Sequence, residues 1–260
     1  MDCCDHSDHK EFKLSGGLES ELAKMVQRIW KDKGMPPTID KAVAMEFFKE
    51  LWSGVTDGYD VGDIGIDYET PDGRMLTNLK QSVYHFSAAK NYQQLKALTA
   101  ALVGDDGKVR SYSQFKKAAF AINDTHVNQW LKTEYNTAIA SGQMASKWVD
   151  IMANKETLNM LEYDAVMDGR TSEICKGFNG ILRPVDDAFW KEYYPPNHFG
   201  CRSTVRQRSG GTPTNLNNLA IPDGIPDMFK VNLAQQGLVF PKAHPYFIGT
   251  PQEALDALID

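Results

Sequence analysis

Apolar side chains recur every three or four residues between Leu18 and Leu158, and this spacing predicts a series of amphipathic helices. A stripe that begins at Leu22 predicts one helix that ends before Gly34. Asp40 is expected to cap a second helix, because its carboxylate can accept a hydrogen bond from the first turn. Residues 53–73 are rich in Gly and Asp, so we interpret them as a long, turn-rich connection.

The helical pattern continues beyond this connection. Residues 74–103 predict a helix, and the Gly-Asp-Asp-Gly run at 104–107 predicts a firm break after it. Ser113 is expected to cap the next helix. The most periodic stretch, residues 124–154, predicts either one long helix or two helices separated near Ser141-Gly142.

The pattern changes after Leu158, where Gly, Pro, Asn and Asp become frequent. We interpret residues 158–209 as short strands and turns around one short helix, with Asn179-Gly180 forming the type I′ turn of a hairpin. The chain is therefore predicted to be α+β and predominantly helical. Its N-terminal helical region is followed by a small α+β module with short strands.

Composition and charge narrow the class of protein. The 260 residues are 42% hydrophobic and 24% charged, as in an ordinary soluble globular protein. A net charge of −6 argues against a surface devoted to nucleic acid, although a local basic patch fits. No apolar run is long enough to span a membrane and no signal peptide is visible, so we expect synthesis in the cytoplasm and no membrane partner.

Cysteine usage argues against a disulfide-dependent secreted fold, because there are only four cysteines. Two of them lie in the polar segment 1–17, which we interpret as a flexible arm. This arm holds residues that could bind a metal adventitiously, namely Cys3, Cys4, His6 and His9.

The other two cysteines belong to a dense group of polar and turn-forming residues between Asp168 and Cys201. Asp168 can accept hydrogen bonds from the turn that it opens, or can pair with an arginine. Pro195-Pro196 favours an extended entry that delivers His198 and Cys201 to one side of a turn. A His-x-x-Cys spacing lets both side chains reach one atom.

Several kinds of chemistry fit this group. Cys175, His198 and Cys201 could hold a structural zinc ion with Asp168 as the fourth ligand. Cys175 and Cys201 could instead form a disulfide, or a Cys/His pair could act as a nucleophile. Plain packing and hydrogen bonding is the remaining alternative, and the sequence leaves all four open.

The order of these residues resembles the signature of the phage Mu F-like head-morphogenesis family. That family typically carries Thr-Glu on an upstream helix and Gly about eight residues later, and Thr133-Glu134 and Gly142 match. The resemblance covers about residues 110–206 and is densest over 164–206. It implies a structural motif composed of Glu134, Arg170, Thr171, Gly180, Pro196 and Arg202. Many relatives carry cysteines where this chain has Ser172 and Ser203, which suggests that these two positions are neighbours.

The resemblance divides the chain into four parts. They are the arm 1–17, a helical region 18–109, the Mu F-like domain 110–206 and a C-terminal extension 207–260 that packs on the body. The implied role is that of a minor capsid protein of a tailed phage or prophage, with portal, capsid or scaffold proteins as partners. The implied final location is inside the head of the virion.

Three functional hypotheses follow, the third being a binding module of a bacterial system that borrowed this fold. In the first, the chain is a non-enzymatic assembly factor, and Arg202, Arg206 and Arg208 contact phosphates of packaged DNA. In the second, it is a metal-dependent nuclease or toxin-associated module whose site uses Asp168 together with the two cysteines and His198. Neither a His-Glu-x-x-His motif nor a phosphate-binding loop occurs in the sequence, which favours the first hypothesis.

Overall fold

The fold is described by a computed structural model that covers residues 16–61, 67–218 and 221–259. It is predominantly helical with one small sheet, which confirms the predicted α+β class. The helices are α1 (Gly16–Asp32), α2 (Lys41–Tyr59), α3 (Pro71–Ala100), α4 (Tyr112–Asp124), α5 (Lys132–Asn154), α6 (Glu173–Phe178), α7 (Phe189–Tyr193), α8 (Leu233–Gln236) and α9 (Gln252–Asp256). The strands are β1 (Met160–Asp164), β2 (Leu182–Pro184) and β3 (Thr204–Arg208). Within the described ranges, no helix is both long and apolar enough to cross a bilayer.

The described residues form two compact units, each assembled from distant parts of the chain. The first unit contains residues 54–79 and 136–242, and the second contains residues 16–53, 80–135 and 243–259, apart from the gaps given above. The predicted arm 1–17 lies almost entirely outside the described residues, and the four-part division remains a prediction.

The sheet of the first unit is antiparallel, with strand order β2-β1-β3. Leu161 at its centre is opposite Arg183 on one side and Gln207 on the other. Leu161 and Tyr163 are fully buried, because alternate residues of β1 point to one face. Helix α5 is joined to β3 through Lys147, whose ammonium donates to the Thr204 hydroxyl at 2.8 Å and to the Val205 carbonyl at 3.2 Å.

Helix α2 continues through Gly54 and Gly58 to Tyr59, so the turn-rich interpretation of residues 53–73 is wrong at its start. Gly58 is tolerated inside α2 because α2 crosses α5 at this position. A Cβ atom at Gly58 would overlap the carbonyl oxygen of Ile139, and one at Gly142 would overlap that of Val55. The two glycines therefore let the backbones of α2 and α5 approach closely, and this explains the Gly142 that the sequence motif contains. Residues 62–66 of the predicted connection lie outside the described residues.

Helix α4 begins two residues earlier than expected, because Ser111 and not Ser113 caps it. The Ser111 hydroxyl accepts from the backbone N–H of Gln114, whose side chain accepts in return from the Ser111 N–H. The helical path then runs without a break through a π-helical segment at Thr125–Leu131 into α5. The alternative of two helices separated near Ser141-Gly142 is therefore wrong.

A buried ion pair lies in the core of the second unit. Lys90 of α3 is fully buried, and its ammonium is 2.8 Å from the Glu134 carboxylate. It also donates to the carbonyl of His126 in the π-helical segment, at 2.8 Å. The Tyr246 hydroxyl donates to the same carboxylate at 2.9 Å. Burial lowers the pKa of the His126 side chain to about 3, so this ring is neutral and Glu134 supplies the charge that balances Lys90.

Candidate functional site

The dense group of polar residues lies in the first unit, in the stretch of chain that runs from the end of β1 to the start of β3. Ser172 caps the short helix α6, and its hydroxyl accepts from the backbone N–H of Cys175 at 3.2 Å. This cap fixes Cys175 in the first turn of α6, where its side chain is 3% exposed. The loop from Tyr194 to Ser203 then brings His198 and Cys201 to the same place.

Asn179-Gly180 does not form the predicted hairpin. Asn179 has φ −54° and ψ 128°, Gly180 has φ +79°, and the N–H of Ile181 donates to the Phe178 carbonyl. This is a type II turn, which requires a positive φ at its third residue and so explains the glycine. It connects α6 to β2 instead of joining two strands.

Three side chains converge at the centre of the group. The Cys175 sulfur is 3.2 Å from Nε2 of His198 and 3.7 Å from the Cys201 sulfur. The ligand atoms of Cys175, His198 and Cys201 all lie within 4.8 Å of one another. Both cysteines are free thiols, so the disulfide alternative does not describe this structure. The structure thus brings together three of the four residues predicted as metal ligands.

Hydrogen bonds within the group shift its ionisation. The bond with Cys201 is the largest cause that lowers the pKa of Cys175, followed by bonds from His198 and Ser172, while burial opposes them. The same bond and burial raise the pKa of Cys201. The pKa of His198 is raised chiefly by its hydrogen bond to Cys175. These hydrogen bonds therefore favour ionisation of Cys175 before Cys201, beside a His198 ring that holds its proton more readily than a free imidazole.

Asp168, the fourth predicted ligand, has a different partner. Its carboxylate forms a two-pronged ion pair with Arg202, at 2.6 and 2.9 Å, and lies outside the group of converging ligand atoms. It also accepts from the backbone N–H of Arg170, while its own N–H donates to the Thr171 hydroxyl. The Arg202 guanidinium is the largest cause that lowers the pKa of Asp168. The Asp168–Arg202 ion pair thus connects the turn that begins at Asp168 to the segment that follows Cys201.

Two serines and two further polar residues surround the cysteines. The Ser172 hydroxyl is 2.8 Å from Nε2 of His198, and Ser203 is buried in the recess beside it. Both serines line the same recess, so positions 172 and 203 are neighbours. The Tyr163 hydroxyl lies 3.8 Å from the Cys175 sulfur and donates to the side-chain oxygen of Asn197 at 2.8 Å.

The arginines predicted to contact DNA are held in ion pairs. Arg206 is 2.7 Å from Asp164, and Arg208 is 2.7 Å from Glu162. Both pairs run diagonally between β1 and β3, because Glu162 is directly opposite Arg206 in the register. Each arginine of the predicted DNA contact, including Arg202, thus has a carboxylate partner in the described structure.

The remaining motif residues occupy structural positions. Pro196 is buried at the start of the loop that carries His198. Arg170 is largely exposed, with 83% of its side chain open to solvent. Glu134, in the other unit, holds Lys90. Lys90 was missed because one lysine in a helical pattern gives no signal for burial. Tyr163, in contrast, could have been found from the alternation of apolar residues in β1.

Comparison with known proteins agrees with the resemblance inferred from the motif. Residues 86–206 match the family described as Phage Mu protein F like protein. This stretch is thus similar in sequence to the members of that family. The match starts in α3 and ends in β3, and it includes Lys90, Glu134 and the whole Cys/His group.

Two relatives match parts of this chain. The "Putative capsid assembly protein F" of Escherichia phage Mu is 34% identical over 86 residues, which are 33% of this chain and 20% of that protein. The "Mu-like prophage FluMu F protein" of Haemophilus influenzae is 32% identical over 79 residues, or 30% of this chain and 19% of that protein. The chain thus spans about a fifth of the length of each of these relatives. No solved structure matches the chain significantly.

Proposed function

We propose that this protein is a non-enzymatic head-morphogenesis factor of a tailed phage or prophage. In this proposal it assists portal-linked assembly of the procapsid and remains inside the head of the virion. The observation that carries the proposal is the Mu F-like match over residues 86–206, together with a relative whose name describes a capsid assembly protein. The chain's own partners would be the portal, capsid or scaffold subunits of the same phage.

The construction of the polar group supports a docking role more than a catalytic one. Asp168, the carboxylate that the nuclease hypothesis requires, is engaged by Arg202 and not by the Cys/His group. The Asp168–Arg202 pair and the cap at Ser172 hold the surrounding loops in fixed positions. A fixed surface suits repeated binding to another subunit, because little conformational entropy is lost on association. Arg170 projects from this surface, with its guanidinium 3.9 Å from the Asp168 carboxylate, and its exposed side chain would contact the partner.

A co-assembly experiment tests the proposal. The full chain, carrying an affinity tag, is mixed separately with the purified portal, major capsid and scaffold subunits of its phage. We expect capture of at least one of them, and a loss of at least tenfold in affinity for Arg170→Glu. The matched control is Lys191→Glu, an exposed position in the same unit that should retain binding. Failure to capture any of the three subunits would contradict the proposed function.

Contact with packaged DNA is a separate prediction. It requires Arg206 and Arg208 to exchange their carboxylate partners for phosphates of the DNA. Each phosphate contact contributes about 0.9 to the slope of log affinity against log salt concentration. The variant Arg206→Gln/Arg208→Gln should therefore lower the slope for duplex DNA by about 2. The variant Glu162→Gln/Asp164→Asn should raise DNA affinity, because it frees both arginines. Equal slopes for the three proteins would exclude a phosphate contact at these positions.

A further inference from the structure

The Cys/His group has the spacing of a tetrahedral metal site. With zinc–sulfur bonds of about 2.3 Å and tetrahedral angles, two thiolate ligands lie about 3.8 Å apart. The sulfurs of Cys175 and Cys201 are 3.7 Å apart, whereas a disulfide bond is about 2.05 Å long. The distance between them therefore matches a shared cation.

His198 is oriented as a histidine ligand would be. Its Nδ1 lies 2.8 Å from the carbonyl oxygen of Phe199, and a carbonyl only accepts, so Nδ1 carries a proton. Nε2 is then the atom that faces the Cys175 sulfur at 3.2 Å. A hydrogen bond from the second ring nitrogen to a backbone carbonyl is the usual support of a metal-bound imidazole. Binding of a cation would release the proton on Nε2 and the proton on Cys201.

Two backbone amides point at the Cys201 sulfur. Those of Asn197 and Ser203 hydrogen-bond it, while the bond to Cys175 and burial raise the pKa of this thiol. The Arg202 guanidinium interacts electrostatically with both cysteines. A buried polar atom nearby, the side-chain nitrogen of Asn197, has no hydrogen-bond partner among the described residues. Unsatisfied buried donors are rare, and this one could donate to a group bound at the site.

We propose that Cys175, His198 and Cys201 bind one Zn²⁺ ion, with a water molecule as the fourth ligand. The recess beside the group is lined by Ser172 and Ser203, whose hydroxyls would hydrogen-bond this water. Two thiolates and a neutral imidazole balance the charge of the ion, so the buried site becomes electrically neutral. The ion would link helix α6 to the loop before β3, which makes its role structural. Asp168 is not a ligand in this proposal, because Arg202 holds it.

Cobalt binding provides the first test, since Co²⁺ reports thiolate ligands by a charge-transfer band and tetrahedral geometry by its visible spectrum. The full chain is studied with Cys3→Ser and Cys4→Ser in all samples, which removes the thiols of the terminal segment. We expect one equivalent of Co²⁺ to bind with a thiolate band and to be displaced by Zn²⁺. Absence of stoichiometric binding in this background would overturn the proposal.

Two variants in the same background identify the ligands. Cys175→Ser should weaken Zn²⁺ binding at least 100-fold, with folding checked by circular dichroism. Glu192→Gln, which neutralises an exposed carboxylate elsewhere in the same unit, should leave binding within about threefold. Undiminished binding by Cys175→Ser, or an equal loss with Glu192→Gln, would show that the ligands are assigned wrongly.

X-ray absorption at the zinc edge tests the site without altering any of its ligands. For the zinc-loaded Cys3→Ser/Cys4→Ser chain we expect two sulfur and two nitrogen or oxygen neighbours. A zinc coordination shell without sulfur would contradict the proposal. This result does not depend on whether the ligand variants fold.

Discussion

Lys90→Met is expected to destabilise the protein by about 3–5 kcal/mol, because it leaves the buried carboxylate of Glu134 without its counter-charge. The substitution keeps most of the aliphatic volume, so the loss reports the ion pair and not a cavity. The remaining hydrogen bond from the Tyr246 hydroxyl cannot replace a full positive charge. Urea unfolding, followed by circular dichroism, measures the free energy of unfolding.

A double variant and an exposed pair serve as controls for this measurement. Lys90→Met/Glu134→Gln removes both charges and should recover at least about 1 kcal/mol relative to Lys90→Met. Lys24→Met breaks the exposed pair with Glu21 and should change stability by no more than about 1 kcal/mol. If Lys90→Met costs no more than Lys24→Met, the buried pair is not the structural element described above.

Gly142→Ala is expected to destabilise the first unit by about 1–3 kcal/mol, because the new methyl group would overlap the carbonyl oxygen of Val55. The sign of this change in the free energy of unfolding is informative, since in an isolated helix the replacement of Gly by Ala stabilises by about 1 kcal/mol. The clash is with backbone and not with a flexible side chain, so the helices must separate to relieve it. Thermal and urea unfolding of the purified variant measure the loss.

Gly169→Ala is the matched control, because no atom lies within 4 Å of the position where its Cβ would be. We expect a change within about 0.5 kcal/mol for this variant. Gly58→Ala, on the opposite helix of the same crossing, should behave like Gly142→Ala. A neutral result for both crossing variants would mean that α2 and α5 are not in close contact.

The sequence alone determined the fold class, the positions of most helices and the family resemblance. Helical periodicity is local, so the helix predicted over residues 74–103 corresponds closely to α3. Where the prediction was wrong, a distant contact had overridden local preference. Gly58 ordinarily favours a turn, but the crossing with α5 gives it a place inside α2. Asn179-Gly180 predicted a hairpin, yet the residues before it form α6.

Only the tertiary structure decided which side chains meet. Spacing placed His198 near Cys201, since three residues span one turn, but it did not show that Cys175 lies 3.7 Å from Cys201. It left Asp168 either in the same group or paired with an arginine, and the fold pairs that carboxylate with Arg202. Lys90 and Glu134 are 44 residues apart, and their pairing depends on burial that no local pattern encodes. Periodicity is a property of neighbouring residues, while contacts of this range exist only once the chain has folded.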